Sequence, residues 1–461
     1  MSLLINNKQY NSIHFTGVLG SGMSAIAQFL RWQGLNISGS DRLLNSEDTL
    51  SVKKGLVDIG CRLFEQDGSG VEKTTDALCV STAIESSNAD IVRAQKFGIP
   101  IFHRSDLLAA IISTRKTVAI AGTSGKSTVT AMVFEFLFSA GKSPSLISGA
   151  NLKRLEKEGL IGNAFNGSSD LLVVEADESD GTLIKYNPFM SIILNVSKDH
   201  KNETEVLDLF DKLTRKSGCS LINADDKKLH SLRSSISFGL DTKADWNPDK
   251  YVLNPHSAEM YRKGVRFQLP LPGQHNLSNC AAALCACEQL GCDPEGLSDA
   301  VKSYQGVARR FTVYQTVQGV HVVDDFAHNP EKIKAAINAA RGLSARLAVV
   351  YQPHGFGPTR FLKDEYIYTF KNELRPGDLL LLLPIYYAGG SANKDISSED
   401  IINELGMVSF EKHAPKCRND IFDLLKGKIN PGECVLLMGA RDPSLSTFAR
   451  KITDLYGGIS I

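Results

Sequence analysis

The sequence predicts an α/β fold with parallel sheets, divided among three domains, on three observations. Strand-like apolar runs alternate with helix-like runs almost throughout. Twice an apolar strand passes through glycines straight into an apolar helix, in "IHFTGVLGSGMSAIAQFL" and in "TVAIAGTSGKSTVTAMVFEFL". The length of 461 residues exceeds one ordinary core, and a 43% apolar content is enough to fill several.

The elements fall into three sections, with boundaries expected near 113 and 307. Residues 1–112 open with the first glycine turn, continue through "LNISGSD" and "DALCVSTAI", and close near "IPIFHRSDLLAAII". Residues 113–306 start at the second glycine loop and run through "DLLVVEADESD", "MSIILNVSKDH" and a helix after "PGQHNLSNCAAAL". Residues 307–461 follow "YQGVARRF" with "VHVVDDFAHNP", "RLAVVYQPH", "DLLLLLPIYYAGG" and "GECVLLMGARD". No solenoid repeat and no low-complexity linker interrupts them.

The 51 basic and 51 acidic residues cancel, which argues against nucleic acid or an acidic membrane as partner and makes any phosphate recognition local. The start, "MSLLINNKQYNSIHF", lacks the pattern of a signal peptide, and the apolar run "LLLLLP" at 379–384 suits a buried strand, not a membrane span. A cytosolic chain is the expectation. Its nine cysteines are then expected to be reduced, with Cys280, Cys285 and Cys287 packed in a helix.

Gly20, Gly22 and Ala25 fit the G-x-G-x-x-G/A turn between a strand and a helix, and Asp41 follows the next strand. Backbone N–H groups and a helix N-terminus can hold a diphosphate there; NAD with Asp41 on a ribose is one reading, and any diphosphate nucleotide is another. In the second section Gly122, Thr123, Ser124, Gly125 and Lys126 form a phosphate loop two residues shorter than the standard one. Its lysine suits terminal phosphates, and the hydroxyls of Ser127 and Thr128 suit a metal. Glu175, Asp177, Glu178 and Asp180 end a following strand, and Asp199 and His200 end the next, so two neighbouring edges aim ligands at one place. His275, Asn276 and Asn279 begin a helix; the two asparagines are three apart on one face, and their amides can read a purine edge.

In this order the motifs resemble the Mur ligases, the ATP-dependent amide-forming enzymes of peptidoglycan precursor synthesis, whose ATP loop is the short GTxGK(S/T). The resemblance rests on "GSGMSAIA" and "VSTAI", then "GTSGKST", "EADESDG", "DH" and "GQHNLSN", then "RRF", "DDFAHNP" and "YQPHGFGPTR". It implies a Rossmann-like N-terminal domain, a central P-loop ATPase-type parallel-sheet domain and a Rossmann-like C-terminal domain. Within the family the chain looks most like the branch that adds L-alanine to UDP-N-acetylmuramate, while the ligase that reattaches recycled tripeptide shares several motifs.

The resemblance implies that Gly20, Ser21, Gly22, Met23, Asp41 and Ser81 hold the UDP substrate. It puts Lys126 at the transferred phosphoryl group and Mg²⁺ on Ser127, Glu175 and His200. Asn276 and Asn279 would take adenine, Arg310 a phosphate and Asp325 a ribose. His328, His354 and Arg360 would face the amino acid or short peptide. An acyl phosphate then forms, with release of ADP. Departures cluster in the third section: D-D-Y-G-H-H-P reads "DDFAHNP", where Phe326 and Asn329 are not the expected residue types, and P-H-R-Y-T-R-T-R reads "PHGFGPTR", with Gly355 and Pro358 replacing arginines. Arg360 is therefore the expected anchor for the amine's carboxylate. Some members carry a carbamylated lysine; Lys212 reads instead as a surface lysine. Readings from other classes are an NAD-dependent oxidoreductase and a non-catalytic nucleotide-binding paralogue.

Overall fold

The computed structural model describes residues 3–178, 181–197, 202–387, 393–440, 442 and 444–460. Its N-terminal sheet has five strands in the order Arg62–Phe64, Asn36–Ser40, Ser12–Thr16, Ala77–Val80 and Ile101–His103. All neighbours pair parallel. The chain starts in the middle strand and winds outward both ways, so strands Ser12–Thr16 and Ala77–Val80 bound the switch point where open α/β sheets place ligands. The glycine turn follows the first of these strands and Ser81 follows the second.

The central sheet has seven strands, with Lys116–Ala121 between Leu171–Glu175 and Met190–Ile193. Both neighbours run parallel to it, so the phosphate loop, the acidic segment and the segment after Ile193 leave the same sheet edge. Only the two-residue strand Ala164–Phe165 pairs antiparallel with its neighbour in this sheet, among the described residues. The helix Lys126–Ser139 is buried continuously from Ser127 to Leu137, as expected for a helix apolar on all sides. Glu135 lies inside it, 2% exposed, with Oε1 unpartnered and Oε2 accepting a long bond from the Gln305 amide (3.4 Å). Burial pushes its carboxyl up to about 7.

The third sheet has six strands and is parallel apart from its edge strand Thr312–Gln315. Along Leu347–Gln352, Val349 and Tyr351 enter one apolar cluster while Ala348 and Val350 enter another. Period-two alternation with both sets apolar gives a sheet covered on both faces.

Two compact units result: Met1–Val252 with Glu259–Pro270 and Asn276–Ala308, and Leu253–Ala258 with Leu271–His275 and Arg309–Ile461. The first two sheets share the first unit, and one apolar cluster runs from Phe15 to Val174 and Ile193. Polar ties join them as well. Gln28 donates to Asn163 Oδ1 (2.8 Å), Asn163 Nδ2 donates to the Ser21 carbonyl (2.7 Å), and Arg115 donates to Gln33 (2.8 Å). No described helix is long and apolar enough to cross a membrane. Cys280, Cys285 and Cys287 are buried and unbridged.

Candidate active site

The short loop is built around two glycines with positive φ. Gly122 (φ 146°) lies so close to the next strand's continuation that a Cβ there would stand 2.9 Å from Leu194 Cβ. Gly125 (φ 85°) caps the helix Lys126–Ser139 with no side-chain bond, and a Cβ on it would stand 2.6 Å from Asn279 Oδ1. Asn279 therefore packs directly on the loop, while Asn276 is buried one helical turn earlier.

Asn195, which sequence reasoning passed over, clamps this loop. Its Oδ1 accepts from the Ser124 amide (2.8 Å) and the Thr123 hydroxyl (3.0 Å), and its Nδ2 donates to the Ser124 carbonyl (3.0 Å). Thr123 is 1% exposed and also meets Ser197 at 2.9 Å. A lone asparagine in "IILNVSKDH" gives no pattern by which to find it.

Lys126 Nζ donates to the Gly122 carbonyl (2.8 Å) and to Glu178 Oε2 (2.7 Å). Burial works against its charge, yet Glu178, Asp177 and Glu175 outweigh it and hold the ammonium above its usual range. Glu178, 4% exposed, is thus the lysine's counterion, a use different from the metal holding expected of the acidic run. Beside it, the Ser127 hydroxyl donates to Glu175 Oε1 (2.9 Å), and Glu175 Oε2 accepts from the Gly149 amide (2.9 Å).

The donor set at Ser127 and Glu175 fits Mg²⁺: a hydroxyl and a carboxylate, both hard oxygens, meet at the head of the phosphate-loop helix. No group of three His, Cys, Asp or Glu side chains arranged for a metal occurs among the described residues. His200, with Asp199 and Asp180, lies outside the described residues. Lys212 pairs with Asp208 (2.6 Å) on an exposed helix face.

At the N-terminal turn, Gly17 (φ 80°) and Val18 donate to the Ser40 carbonyl at 2.8 and 3.0 Å. Asp41 accepts from the amides of Leu19 and Leu43, both at 2.9 Å, so its two oxygens tie the turn to the second strand. The helix Ser21–Trp32 starts at Gly20, again with no side-chain cap, and Met23 turns its side chain into the core. Ser81 lies at the end of strand Ala77–Val80, across the switch point.

In the third domain Asp325 accepts from the amides of Phe311 and Ala327, each at 2.7 Å. This bridges "RRF", where Arg309 (φ 57°) and Phe311 (φ 49°) hold left-handed backbone, to "DDFAHNP". The Phe326 ring stands under both Arg309 (5.1 Å) and Arg310 (4.8 Å), so phenylalanine serves here through its face and needs no hydroxyl. Asn329 caps the helix Pro330–Arg341 by accepting from the Lys332 amide (3.0 Å). His328 and His354 meet edge to face at 6.0 Å. Arg360, on the short helix Phe356–Phe361, is ion-paired with Asp395 and about half exposed.

Comparison with known proteins extends this geometry. Family models describe residues 12–116 as the Mur ligase family catalytic domain, 120–287 as the Mur ligase middle domain and 309–441 as the Mur ligase glutamate ligase domain. The UDP-N-acetylmuramate–L-alanine ligase of Pelotomaculum thermopropionicum is 32% identical over 455 residues, 93% of this chain and 95% of that protein. The crystal structure of UDP-N-acetylmuramate-alanine ligase MurC from Thermotoga maritima superposes with a TM-score of 0.78 at 23% identity, covering 97% and 99% of the two chains. That of a murein peptide ligase from Psychrobacter arcticus gives 0.70 at 18%, covering 98% and 99%. With such a match along its whole length, on a short phosphate loop flanked by a carboxylate-bearing strand, the chain belongs to the Mur ligase family.

Proposed function

We propose that this chain is an ATP-dependent, ADP-forming ligase that joins the carboxylate of UDP-N-acetylmuramate to L-alanine in peptidoglycan precursor synthesis. The observation that carries the reading is the Ser127–Glu175 contact of 2.9 Å beside Lys126, at the open start of a buried helix. The name borne by its full-length relatives supplies the substrates. Both nucleotide substrates are cytoplasmic compounds, and we place the enzyme there.

In the first step a carboxylate oxygen of the UDP substrate attacks the γ-phosphorus of ATP, the bond to the β-phosphate oxygen breaks, and an acyl phosphate and ADP form. Loop amides and the Lys126 ammonium stabilise the charge on the transferring group. Mg²⁺, held by Ser127 and Glu175 with His200 as a further ligand, would neutralise phosphate charge. Asn279, packed on Gly125, together with Asn276 offers amides for adenine. In the second step the amine attacks the acyl carbon and phosphate leaves. His328, His354 and Arg360 are assigned to the amine substrate. Exchange of Asp395 for the substrate carboxylate on Arg360 is the step this assignment requires.

The test is ADP and phosphate release with UDP-N-acetylmuramate against a panel of amino acids and short peptides. L-Alanine should be the preferred amine. Preference for a tripeptide would replace this reading by the recycling ligase, and release independent of any amine would refute ligase activity.

A further inference from the structure

Arg104 is absent from every motif described so far, yet it stands over the first glycine turn. A Cβ added at Gly22 would lie 2.6 Å from Arg104 Nη1, so the second glycine of "GSGM" leaves room for a guanidinium. The other terminal nitrogen, Nη2, faces Asp177 Oδ2 at 3.7 Å. Asp177 belongs to the acidic segment of the central domain, two residues past Glu175. One side chain of the N-terminal domain thus points one nitrogen at the diphosphate turn and the other at the edge beside the ATP loop.

The backbone behind Arg104 is fixed from both sides. His103 and Asp106 form a capping box at the start of the helix Arg104–Ser113. Lys185 of the central domain donates to Asp106 Oδ1 (2.6 Å) and to the Ser105 hydroxyl (3.2 Å). Side-chain exposures of 29% for Arg104 and 42% for Asp177 leave the pair open to solvent, where an ion pair by itself contributes little stability. A guanidinium carries five N–H donors, and its planar fork can serve a carboxylate and a phosphate together.

We infer that Arg104 binds the diphosphate of the UDP substrate over the Gly20–Gly22 turn, and that Asp177 is its positioning residue, so that the central domain completes a UDP site carried by the N-terminal domain. This rests on the reading of that turn as the UDP site. It accounts for both the missing side chain at Gly22 and the orientation of the fork.

Calorimetric titration of the full chain with UDP-N-acetylmuramate, UDP and UMP tests it, using wild type, Arg104→Ala, Arg104→Lys, Asp177→Asn and the double variant Arg104→Ala/Asp177→Asn. Loss of a charge-assisted bond should weaken UDP binding about 10- to 100-fold in Arg104→Ala, with a smaller loss for UMP. Arg104→Lys, which keeps charge and loses the fork, should fall between, and circular dichroism checks that each variant is folded. Asp177→Asn should lose about 2- to 5-fold for UDP, and the double variant should be no weaker than Arg104→Ala alone. Wild type binding UDP-N-acetylmuramate while Arg104→Ala binds UDP equally well would overturn the inference and spare the site. Losses that add in full would overturn the role of Asp177. Wild type failing to bind any of the three ligands would remove the UDP reading itself.

Discussion

At Gly125 the chain enters a helix with no side-chain cap, while at Asn329 it enters one where the asparagine accepts from the Lys332 amide and Pro330 occupies the first turn. Four N–H groups at a helix start need partners. The first helix has no side-chain cap, keeps its cation inside the loop as Lys126, and balances that cation with Glu178. The second is capped through Asn329 Oδ1, while Asn329 Nδ2 stays buried without a partner. The N-terminal turn follows the first plan, with Gly20 uncapped and its cation supplied from Arg104. The difference separates starts without a side-chain cap, the kind that suits an anion, from a start closed by its own asparagine. At the Asn329 departure from the family pattern, the asparagine serves as this cap.

The contrast predicts effects of descending size. Lys126→Ala, at the open start, should lower ATP turnover about 10²- to 10³-fold while the protein stays folded. Phosphate-release assays with circular dichroism on the same sample check this, and near-wild-type turnover would remove the distinction between the two starts.

Behind the open start, the same helix carries Glu135, whose carboxyl is pushed up to about 7 in the folded chain. Between the ordinary carboxylate range and pH 7 the native state holds a proton that the unfolded state has lost, so stability falls as pH rises through that window. Glu135→Gln stays neutral throughout. It should be more stable than wild type by on the order of 3 kcal/mol at pH 8.5, and the gain should shrink as pH falls toward 5. Urea unfolding at pH 5, 7 and 8.5 measures it; an equal difference at all three would mean that Glu135 does not titrate there.

Glu178→Gln removes the counterion of Lys126. The nucleotide-free protein should lose about 1 to 3 kcal/mol, and a non-hydrolysable ATP analogue should restore more stability to the variant than to wild type, because phosphates replace the carboxylate. Thermal melts with and without the analogue decide this. At the asparagine-capped start, Asn329→Ala should cost about 1 kcal/mol of stability and leave the KM for ATP unchanged. A raised KM for ATP would show that this start also serves the nucleotide.

Both glycine starts, the parallel sheets and the pairing of Ser127 with Glu175 follow from local patterns: a strand, small residues, a buried helix, and a carboxylate at the next strand edge. Partner choice was harder to read. "EADESD" presents four carboxylates with one look, and only packing makes Glu178 the lysine's partner. Asp41 and Asp325 stand where nucleotide ligands are expected, and both spend their oxygens on backbone amides. Asn195 and Arg104 reach their targets only because strands far apart in sequence end at one sheet edge. The edge strands Ala164–Phe165 and Thr312–Gln315 are too short for a period-two signal to set their direction.

The hydrogen bonds from Gln28, Asn163 and Arg115 bear on how the chain can be cut into working pieces. A fragment ending near residue 113 would strip partners from buried Gln28 and Ser24 and bare the shared apolar cluster, so it should precipitate or remain partly unfolded. A fragment ending at Ala308 keeps those bonds and the whole of that cluster. Nucleotide binding is best dissected with that longer piece, which carries both glycine starts together.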